Sequence, residues 1–150
     1  MSLRQRINDD VKQAMRAGDK PRLKLLRMVT AAIKQREVDE RIELDEAQVL
    51  AVVEKMIKQR RESAEQYRAG DRPELAEAEE AEIVILQDYL PEPLSEEALA
   101  ELIDEAISEV DAGSMADMGK VMGLIKSRVQ GRADMGKVSA QVRGRLAGQG

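Results

Sequence analysis

Apolar residues recur at intervals of three and four along almost the whole chain, which is the spacing of one face of an α-helix. In the first segment this face consists of Leu3, Ile7, Val11, Ala14 and Met15. Comparable faces follow in six further segments, and none shows a convincing alternation of period two, which would mark a strand. The pattern therefore predicts an all-α protein with seven helices.

Local signals predict the ends of several helices. Ser2 with Gln5, and Asp45 with Gln48, have the spacing of a capping box. In this motif the side chain of each residue accepts a hydrogen bond from the backbone N–H of the other. Gly18 suits the end of the first helix, because glycine adopts the left-handed conformation that commonly follows the last turn. These residues predict the start of the first and third helices and the end of the first.

Prolines mark the starts of the second and fourth predicted helices. Pro21 and Pro73 fit the first helical turn, where the missing N–H costs nothing. We expect the second helix to run to about Val38 and the third to end near Gly70. The apolar face expected for the fourth helix comprises Leu75, Ala76, Ile83, Leu86 and Tyr89.

The segment Y-L-P-E-P-L at residues 89–94 predicts a domain boundary. Pro91 and Pro93 favour extended backbone on either side and cannot continue a helix. We therefore expect an N-terminal four-helix domain at residues 1–90 and a small three-helix domain at residues 91–150.

The segment from Asp117 to Lys137 reads D-M-G-K-V-M-G-L-I-K-S-R-V-Q-G-R-A-D-M-G-K. Its predicted helix, Met118 to Val129, contains Gly119 and Gly123, although a glycine inside a helix costs about 1 kcal/mol relative to alanine. At 100° per residue the glycines share a face with Lys126 and Gln130, roughly 120° from the apolar stripe. The glycines thus form a bare strip of backbone away from the core.

Two kinds of structure can approach such a strip closely. A second helix packs tightly on small residues spaced by four. Alternatively, a phosphate–sugar backbone can meet bare peptide groups flanked by lysines. A third interpretation is that the fold simply tolerates the glycines, and the sequence leaves all three open.

Charge is distributed unevenly around a net value of −5. The predicted fifth helix, which Ser95 caps and Gly113 closes, lies in a segment with seven acids and no base. From Gly113 onward only Asp117 and Asp134 oppose seven bases, namely Lys120, Lys126, Arg128, Arg132, Lys137, Arg143 and Arg145. This switch of sign predicts either a basic surface for an anionic partner or acidic and basic helices that pair with each other.

A second basic stretch lies on the predicted third helix. Its bases are Lys55, Lys58, Arg60, Arg61 and Arg68, with Glu62 and Glu65 between them. They either hold a partner or form an exposed face braced by ion pairs between residues four apart, each worth a few tenths of a kcal/mol.

The D-M-G-K sequence occurs twice, at Asp117 and at Asp134. Both aspartates precede predicted helices, where a carboxylate accepts from free N–H groups and favours the helix dipole. We expect N-capping to be their main role. No third or fourth ligand lies close in sequence, so we expect no metal site.

Composition argues against an autonomous active site. Histidine, cysteine, phenylalanine and tryptophan are absent, which removes the commonest catalytic bases and nucleophiles. There is no P-loop, dinucleotide-binding glycine motif or nucleophile elbow, and no cofactor is expected. The lack of cysteine and of an apolar run of about 20 residues predicts a soluble, cytoplasmic protein that does not enter a membrane.

Four segments in this order resemble the YqeY family. They are I-N-D-D-V-K-Q-A-M-R-A-G-D-K-P-R-L-K-L-L-R-M-V-T-A-A-I-K at 7–34, K-Q-R-R-E-S-A-E-Q-Y at 58–67, Y-L-P-x-P-L-S at 89–95, and D-M-G-K-V-M-G through G-R-A-D at 117–134. This family is related to the C-terminal tail of the B subunit of the glutamine-dependent aminoacyl-tRNA amidotransferase. The resemblance implies an all-helical, two-part fold.

The resemblance also implies contact with tRNA, because the amidotransferase tail touches the outer corner of the tRNA away from the catalytic centres. A similar G-x-V-M places Gly119 and Lys120 in that role, and a similar G-K-A places Gly131 and Arg132. We add to these four residues the second glycine of the strip and further bases of the C-terminal segment. The candidate nucleic-acid-binding residues are then Gly119, Lys120, Gly123, Lys126, Arg128, Gly131, Arg132 and Lys137. The second D-M-G-K departs from the family pattern.

The resulting hypothesis is a tRNA-binding accessory module without its own active site. Amidotransferase or aminoacyl-tRNA synthetase proteins are further expected partners. The alternatives are a helical protein-interaction module that never binds RNA, and a carbon–nitrogen ligase that uses glutamine as amido donor. The family relationship suggests such a ligase, but this chain lacks the segments that form the amidotransferase active sites.

Overall fold

The computed structural model describes residues 1–149, and within that range it contains seven α-helices and no strand. The prediction of an all-α protein is confirmed. The helices are α1 (Leu3–Ala17), α2 (Lys20–Glu40), α3 (Glu46–Ala69), α4 (Pro73–Gln87), α5 (Glu96–Glu109), α6 (Met118–Val129) and α7 (Met135–Gln149). A short 3-10 turn, Met115–Asp117, precedes α6.

The chain divides into two compact units, Met1–Leu90 and the residues from Pro91 onward. The first contains α1 to α4, and the second contains α5 to α7. Each unit has its own apolar core. The first core centres on Ile7, Leu25, Leu26, Val29, Val53 and Leu86, and the second on Ile103, Val121, Ile125, Val129, Val138, Val142 and Leu146.

The predicted capping boxes are both present. The Ser2 hydroxyl accepts from the Gln5 N–H, and the Gln5 side chain accepts from the Ser2 N–H. Asp45 and Gln48 exchange the same two hydrogen bonds at the start of α3. Gly18 ends α1 in the left-handed region with φ 68°, a conformation that glycine adopts without the steric cost of a Cβ atom.

Pro21 and Pro73 lie in the first turns of α2 and α4, as predicted. The second helix, however, continues past Val38 to Glu40 and ends where Arg41 adopts φ 55°. The residue after α2 thus adopts the left-handed conformation although it is an arginine and not a glycine, so the sequence carries no glycine signal for the end of this helix.

The predicted end of the fifth helix at Gly113 is wrong. The helix ends at Glu109, and Asp111 takes the left-handed conformation with φ 50°. Aspartate is among the non-glycine residues that tolerate this region, so the turn forms before the glycine is reached.

Two residues assigned to buried faces are exposed. Met15 is 54% exposed and Leu75 is 42% exposed. Each lies at the edge of its helix's apolar face, and periodicity does not tell how far the neighbouring helices extend over that edge. Tyr89 is buried, with 4% exposure, but it follows α4 rather than lying within it.

The glycine-bearing helix has the predicted bounds. It runs from Met118 to Val129, and Gly131 follows with φ 76°. Val121, Ile125 and Val129 are fully buried in the second core. The core-facing stripe of α6 is therefore the one that the sequence predicts.

Candidate nucleic-acid interface

The glycine strip of α6 lies on the surface of the second unit. Gly119 and Gly123 are exposed, and a methyl group added to either would meet no atom within 4 Å. No helix in the described part of the chain therefore packs on this strip. The bare backbone is accessible to an outside partner, whether a nucleic acid or another protein.

Three lysines flank or follow the strip. Lys120 and Lys126 are exposed on α6, and Lys137 is exposed in the first turn of α7. None of the three has an ion pair within residues 1–149. Their charges are available to an anion approaching from solvent.

The two candidate arginines make contacts inside the second unit. Nη2 of Arg128 lies 2.8 Å from Oε2 of Glu109 on α5. Nε of Arg132 donates to the Glu92 carbonyl at 3.1 Å, while the Arg132 carbonyl accepts from the Leu94 N–H at 2.8 Å. Arg132 thus holds the segment that leads into α5. Its partner there is an uncharged carbonyl, and its guanidinium has no ion pair among residues 1–149.

Gly131 has a backbone role. It is buried and adopts φ 76° directly after α6, and the next residue donates its N–H to the Val129 carbonyl at 2.8 Å. This glycine reverses the chain between α6 and α7 and exposes little surface.

The prediction that acidic and basic helices pair with each other holds in part. Arg128 pairs with Glu109, and Arg145 pairs with Asp104, so basic residues of α6 and α7 do contact the acidic helix α5. Lys120, Lys126 and Lys137 do not, within the described residues. These three lysines are exposed and remain accessible to solvent.

The two D-M-G-K aspartates differ in role. Asp134 precedes α7 and accepts from the Gly136 N–H at 3.1 Å, which is the predicted N-capping bond. Asp117 makes no such bond to α6; its carboxylate instead accepts from the Gly113 N–H at 3.1 Å. The capping prediction is wrong for Asp117 because this residue ends the 3-10 turn with φ −91° and ψ 0°, rather than the extended backbone of an N-cap, and its carboxylate is engaged by Gly113.

The exposed face of α7 is a feature that was not predicted from the sequence. Small residues repeat there every fourth position, as Gly136, Ala140, Gly144 and Gly148, and all four are exposed. Arg143 is exposed beside them and has no ion pair among the described residues. Because these small residues are spaced by four in the sequence, the face could have been predicted from that spacing.

The basic stretch of α3 is braced differently from the prediction. Arg60 and Arg68 pair with Glu82 and Glu80 of α4, at 2.5 Å and 2.7 Å, rather than with glutamates of their own helix. The pairs therefore join two helices. Lys55, Lys58 and Arg61 are exposed.

A buried polar cluster joins the end of the first unit to α1. The Tyr89 hydroxyl donates to Oδ2 of Asp10 at 2.5 Å, Nη2 of Arg22 lies 3.7 Å from the same oxygen, and the guanidinium carbon of Arg6 lies 4.7 Å above the tyrosine ring. Burial, followed by the hydrogen bond to Asp10, raises the pKa of the Tyr89 hydroxyl. These contacts tie Tyr89, which follows α4, to α1 and α2.

Among residues 1–149 there is no group of three or more acidic, histidine or cysteine side chains placed to hold a metal ion. Within the same range, no helix combines the length and apolar character needed to cross a membrane.

Comparison with known proteins shows one family over nearly the whole chain. The sequence model of the family described as "Yqey-like protein" matches residues 4–146. A relative from Pyrenophora tritici-repentis, named "Altered inheritance of mitochondria protein 41, mitochondrial", is 31% identical over 130 residues, which is 85% of this chain and 71% of the relative.

Proteins of the same name from two yeasts are also similar. The one from Lachancea thermotolerans is 36% identical over 94 residues, covering 61% of this chain and 50% of the relative. The one from Kluyveromyces lactis is 32% identical over 123 residues, covering 79% and 66%. The chain therefore spans only part of the length of these relatives.

The names of these relatives correct one expectation. Composition predicted a cytoplasmic protein, whereas the relatives are named as mitochondrial proteins. The prediction was wrong because the absence of cysteine reflects redox chemistry and cannot distinguish one compartment with reduced thiols from another.

Proposed function

We propose that this chain, which belongs to the family of YqeY-like proteins, is a tRNA-binding accessory module that acts beside the transamidation machinery and has no active site of its own. The observation that carries the proposal is the accessible glycine strip of α6 with its unpaired lysines. Gly119 and Gly123 leave the backbone open, and Lys120 and Lys126 lie on the same helix. In this proposal Lys137 supplies a third cation.

Backbone contact with nucleic acid accounts for both features. Lysine side chains bind phosphates, and the absence of side chains at Gly119 and Gly123 lets a phosphate–sugar backbone approach the helix closely. Such contacts set position rather than sequence preference. The chain has only two tyrosines and no other aromatic residue, and Tyr89 is buried. Base stacking can contribute little, so shape and phosphate contacts carry the binding.

The test is a titration of the full chain with total tRNA at about 50 mM and about 200 mM salt. Three phosphate contacts give a slope of log K against log salt concentration of about −2 to −3. The variant Lys120→Glu/Lys126→Glu should bind tRNA weakly. The magnitude of its salt slope should be smaller by about two, one for each lysine removed. Its matched control is Lys55→Glu/Arg61→Glu, which reverses two exposed charges on α3 and should leave binding unchanged.

Other outcomes are equally informative. Binding that hardly changes with salt, or that falls equally in the control, would refute the proposed surface. The competing function is a helix-binding module, in which the glycines accept the backbone of a partner protein. It predicts no tRNA binding at low salt and capture of a protein that the Lys120→Glu/Lys126→Glu variant still binds.

The proposal assigns lesser roles to the remaining candidates. Arg132 contributes its charge while it holds the Glu92 carbonyl, and Arg128 contributes through the part of its guanidinium not paired with Glu109. Gly131 acts by turning the chain. Amidotransferase or aminoacyl-tRNA synthetase proteins are the proposed protein partners, because a module without an active site must deliver the tRNA to an enzyme.

A further inference from the structure

The outward face of α2 combines apolar and basic side chains in the first unit. The buried residues of this helix are Leu25, Leu26, Val29 and Ile33. At 100° per residue, the opposite face carries Lys20, Leu23, Lys24, Arg27, Met28 and Ala31. These six residues line an open cavity of about 520 Å³. The face is a feature separate from the glycine strip of α6.

The six residues stand in two parallel rows along α2, with a shallow open groove between the rows. Lys20, Lys24 and Met28 form one row with a spacing of four, and Leu23, Arg27 and Ala31 form the adjacent row. Two neighbouring rows of this kind flank a groove, and helices pack by inserting a row of side chains from one into the groove of the other. The shape therefore fits a second α-helix.

Apolar groups remain accessible within the groove. Met28 is 44% exposed. Met15 of α1 is 54% exposed and borders the face, with its sulfur 3.7 Å from Nη2 of Arg27. Methionine is flexible and polarizable, and it adapts to the side chains of a docked helix. A single exposed apolar residue needs no explanation, but here two methionines accompany Leu23 and Ala31 on one surface.

The charges specify which kind of helix fits. From Lys12 to Arg36 the sequence has eight basic residues and one acidic residue. Lys20, Lys24 and Arg27 have no ion pair among the described residues. The only acid in that segment, Asp19, is engaged in capping α2 through the Arg22 N–H. An occupant with glutamates or aspartates beside its apolar stripe would neutralise the three cations.

We propose that the outward face of α2 binds an acidic amphipathic α-helix of a partner protein. The apolar stripe of that helix lies between the two rows and contacts Leu23, Met28 and Ala31. Its acidic side chains pair with Lys20, Lys24 and Arg27. A nucleic acid would leave the apolar residues without partners.

The probe is a synthetic helical peptide of about 18 residues, since shorter helices are marginal in water. It carries leucines at spacings of three and four, flanked by glutamates, and a control peptide has lysine in place of every glutamate. Isotope-labelled full-length protein is titrated with each peptide and followed by NMR. The acidic peptide should shift the amide signals of residues 20–31, and the lysine peptide should not bind.

Charge reversal provides the decisive comparison. Lys24→Glu/Arg27→Glu should weaken binding of the acidic peptide at least about ten-fold, since two favourable exposed pairs become repulsive, and should bind the lysine peptide instead. Ala31→Glu places a negative charge at an exposed position, and α2 should stay folded because glutamate is a good helix former. This variant should also fail to bind the acidic peptide. Lys120→Glu/Lys126→Glu serves as the matched control and should bind it normally.

Three results would overturn the inference. They are no binding of the acidic peptide to the native protein, signal shifts away from α2, or equal binding of both peptides. Vesicles of phosphatidylcholine and phosphatidylserine, and total tRNA, are tested with the same variants. If Lys24→Glu/Arg27→Glu abolishes binding to either of these while the acidic peptide does not bind, the face is a membrane or RNA surface. Because the α6 variant is measured separately, this result is independent of the proposed tRNA surface.

Discussion

Nε of Arg60 on α3 donates a hydrogen bond to Oε2 of Glu82 on α4, across 2.5 Å. The Arg60 side chain is only 10% exposed, whereas that of Glu82 is 42% exposed. The same guanidinium donates through Nη1 to the Met56 carbonyl at 3.2 Å. This nearly buried cation thus depends on one partly exposed carboxylate from the neighbouring helix.

Removing the carboxylate should be costly. Glu82→Ala leaves the guanidinium in a poorly solvated site without its counter-charge, and we expect the free energy of unfolding to fall by about 1–3 kcal/mol. Urea denaturation measures this change. Glu80→Ala, which breaks the more exposed pair with Arg68, is the control and should cost about 1 kcal/mol or less; equal losses in the two variants would show that burial of Arg60 is unimportant.

The two glycines of the strip should destabilise α6 while they leave its backbone accessible to a partner. Neither Gly119 nor Gly123 has an atom within 4 Å of an added methyl group, so Gly119→Ala and Gly123→Ala should each stabilise α6 by about 0.5–1 kcal/mol. If a phosphate backbone approaches the bare peptides, the same substitutions should weaken tRNA binding. Thermal unfolding and the tRNA titration are measured on the same variants.

Gly131 is the control for that experiment, since it is the glycine with φ 76° next to α6. Gly131→Ala should destabilise the second unit by about 1–2 kcal/mol, because a Cβ atom in the left-handed region meets the following carbonyl oxygen. A more stable Gly131→Ala variant, or an unchanged affinity in Gly119→Ala and Gly123→Ala, would contradict these roles.

Tyr89 should make stability sensitive to alkaline pH. Burial and the Asp10 hydrogen bond raise the pKa of its hydroxyl in the folded protein, so the contribution is complete below the unfolded pKa of about 10 and is lost as pH rises above it. Tyr89→Phe should lose about 1 kcal/mol at neutral pH and show a shallower decline between about pH 9 and 11. Urea denaturation across that range measures both; parallel curves for the two proteins would refute the linkage.

Glu37 should make the stability of the protein sensitive to acid pH. The hydrogen bond from Arg4, followed by that from the Leu44 N–H, holds the pKa of its carboxyl below the ordinary value. Its contribution is therefore present above the unfolded pKa and is lost as pH falls through the folded pKa. Glu37→Gln should flatten the acid side of the stability profile below about pH 4.5, with Glu43→Gln, at an exposed position, as the control that leaves the profile unchanged.

The sequence by itself determined the helices and most of their ends. Capping and turn formation involve residues within about four positions of each other, so Ser2, Asp45 and Gly18 could be interpreted without knowledge of the fold. The candidate surface on α6 was predictable for the same reason. A helix of known period shows which residues share a face, and the glycines were separated from the core stripe by that period alone.

Only the tertiary structure decided which charges are accessible. Arg60 pairs with a glutamate 22 positions away, and Arg128 pairs with one 19 positions away, and no local pattern indicates such partners. Lys120 and Lys126 remain accessible because no acidic side chain of the described chain reaches them. The exposure of Met15 and Met28 was likewise undetermined by periodicity, since how much of a helix is covered depends on where its neighbours pack.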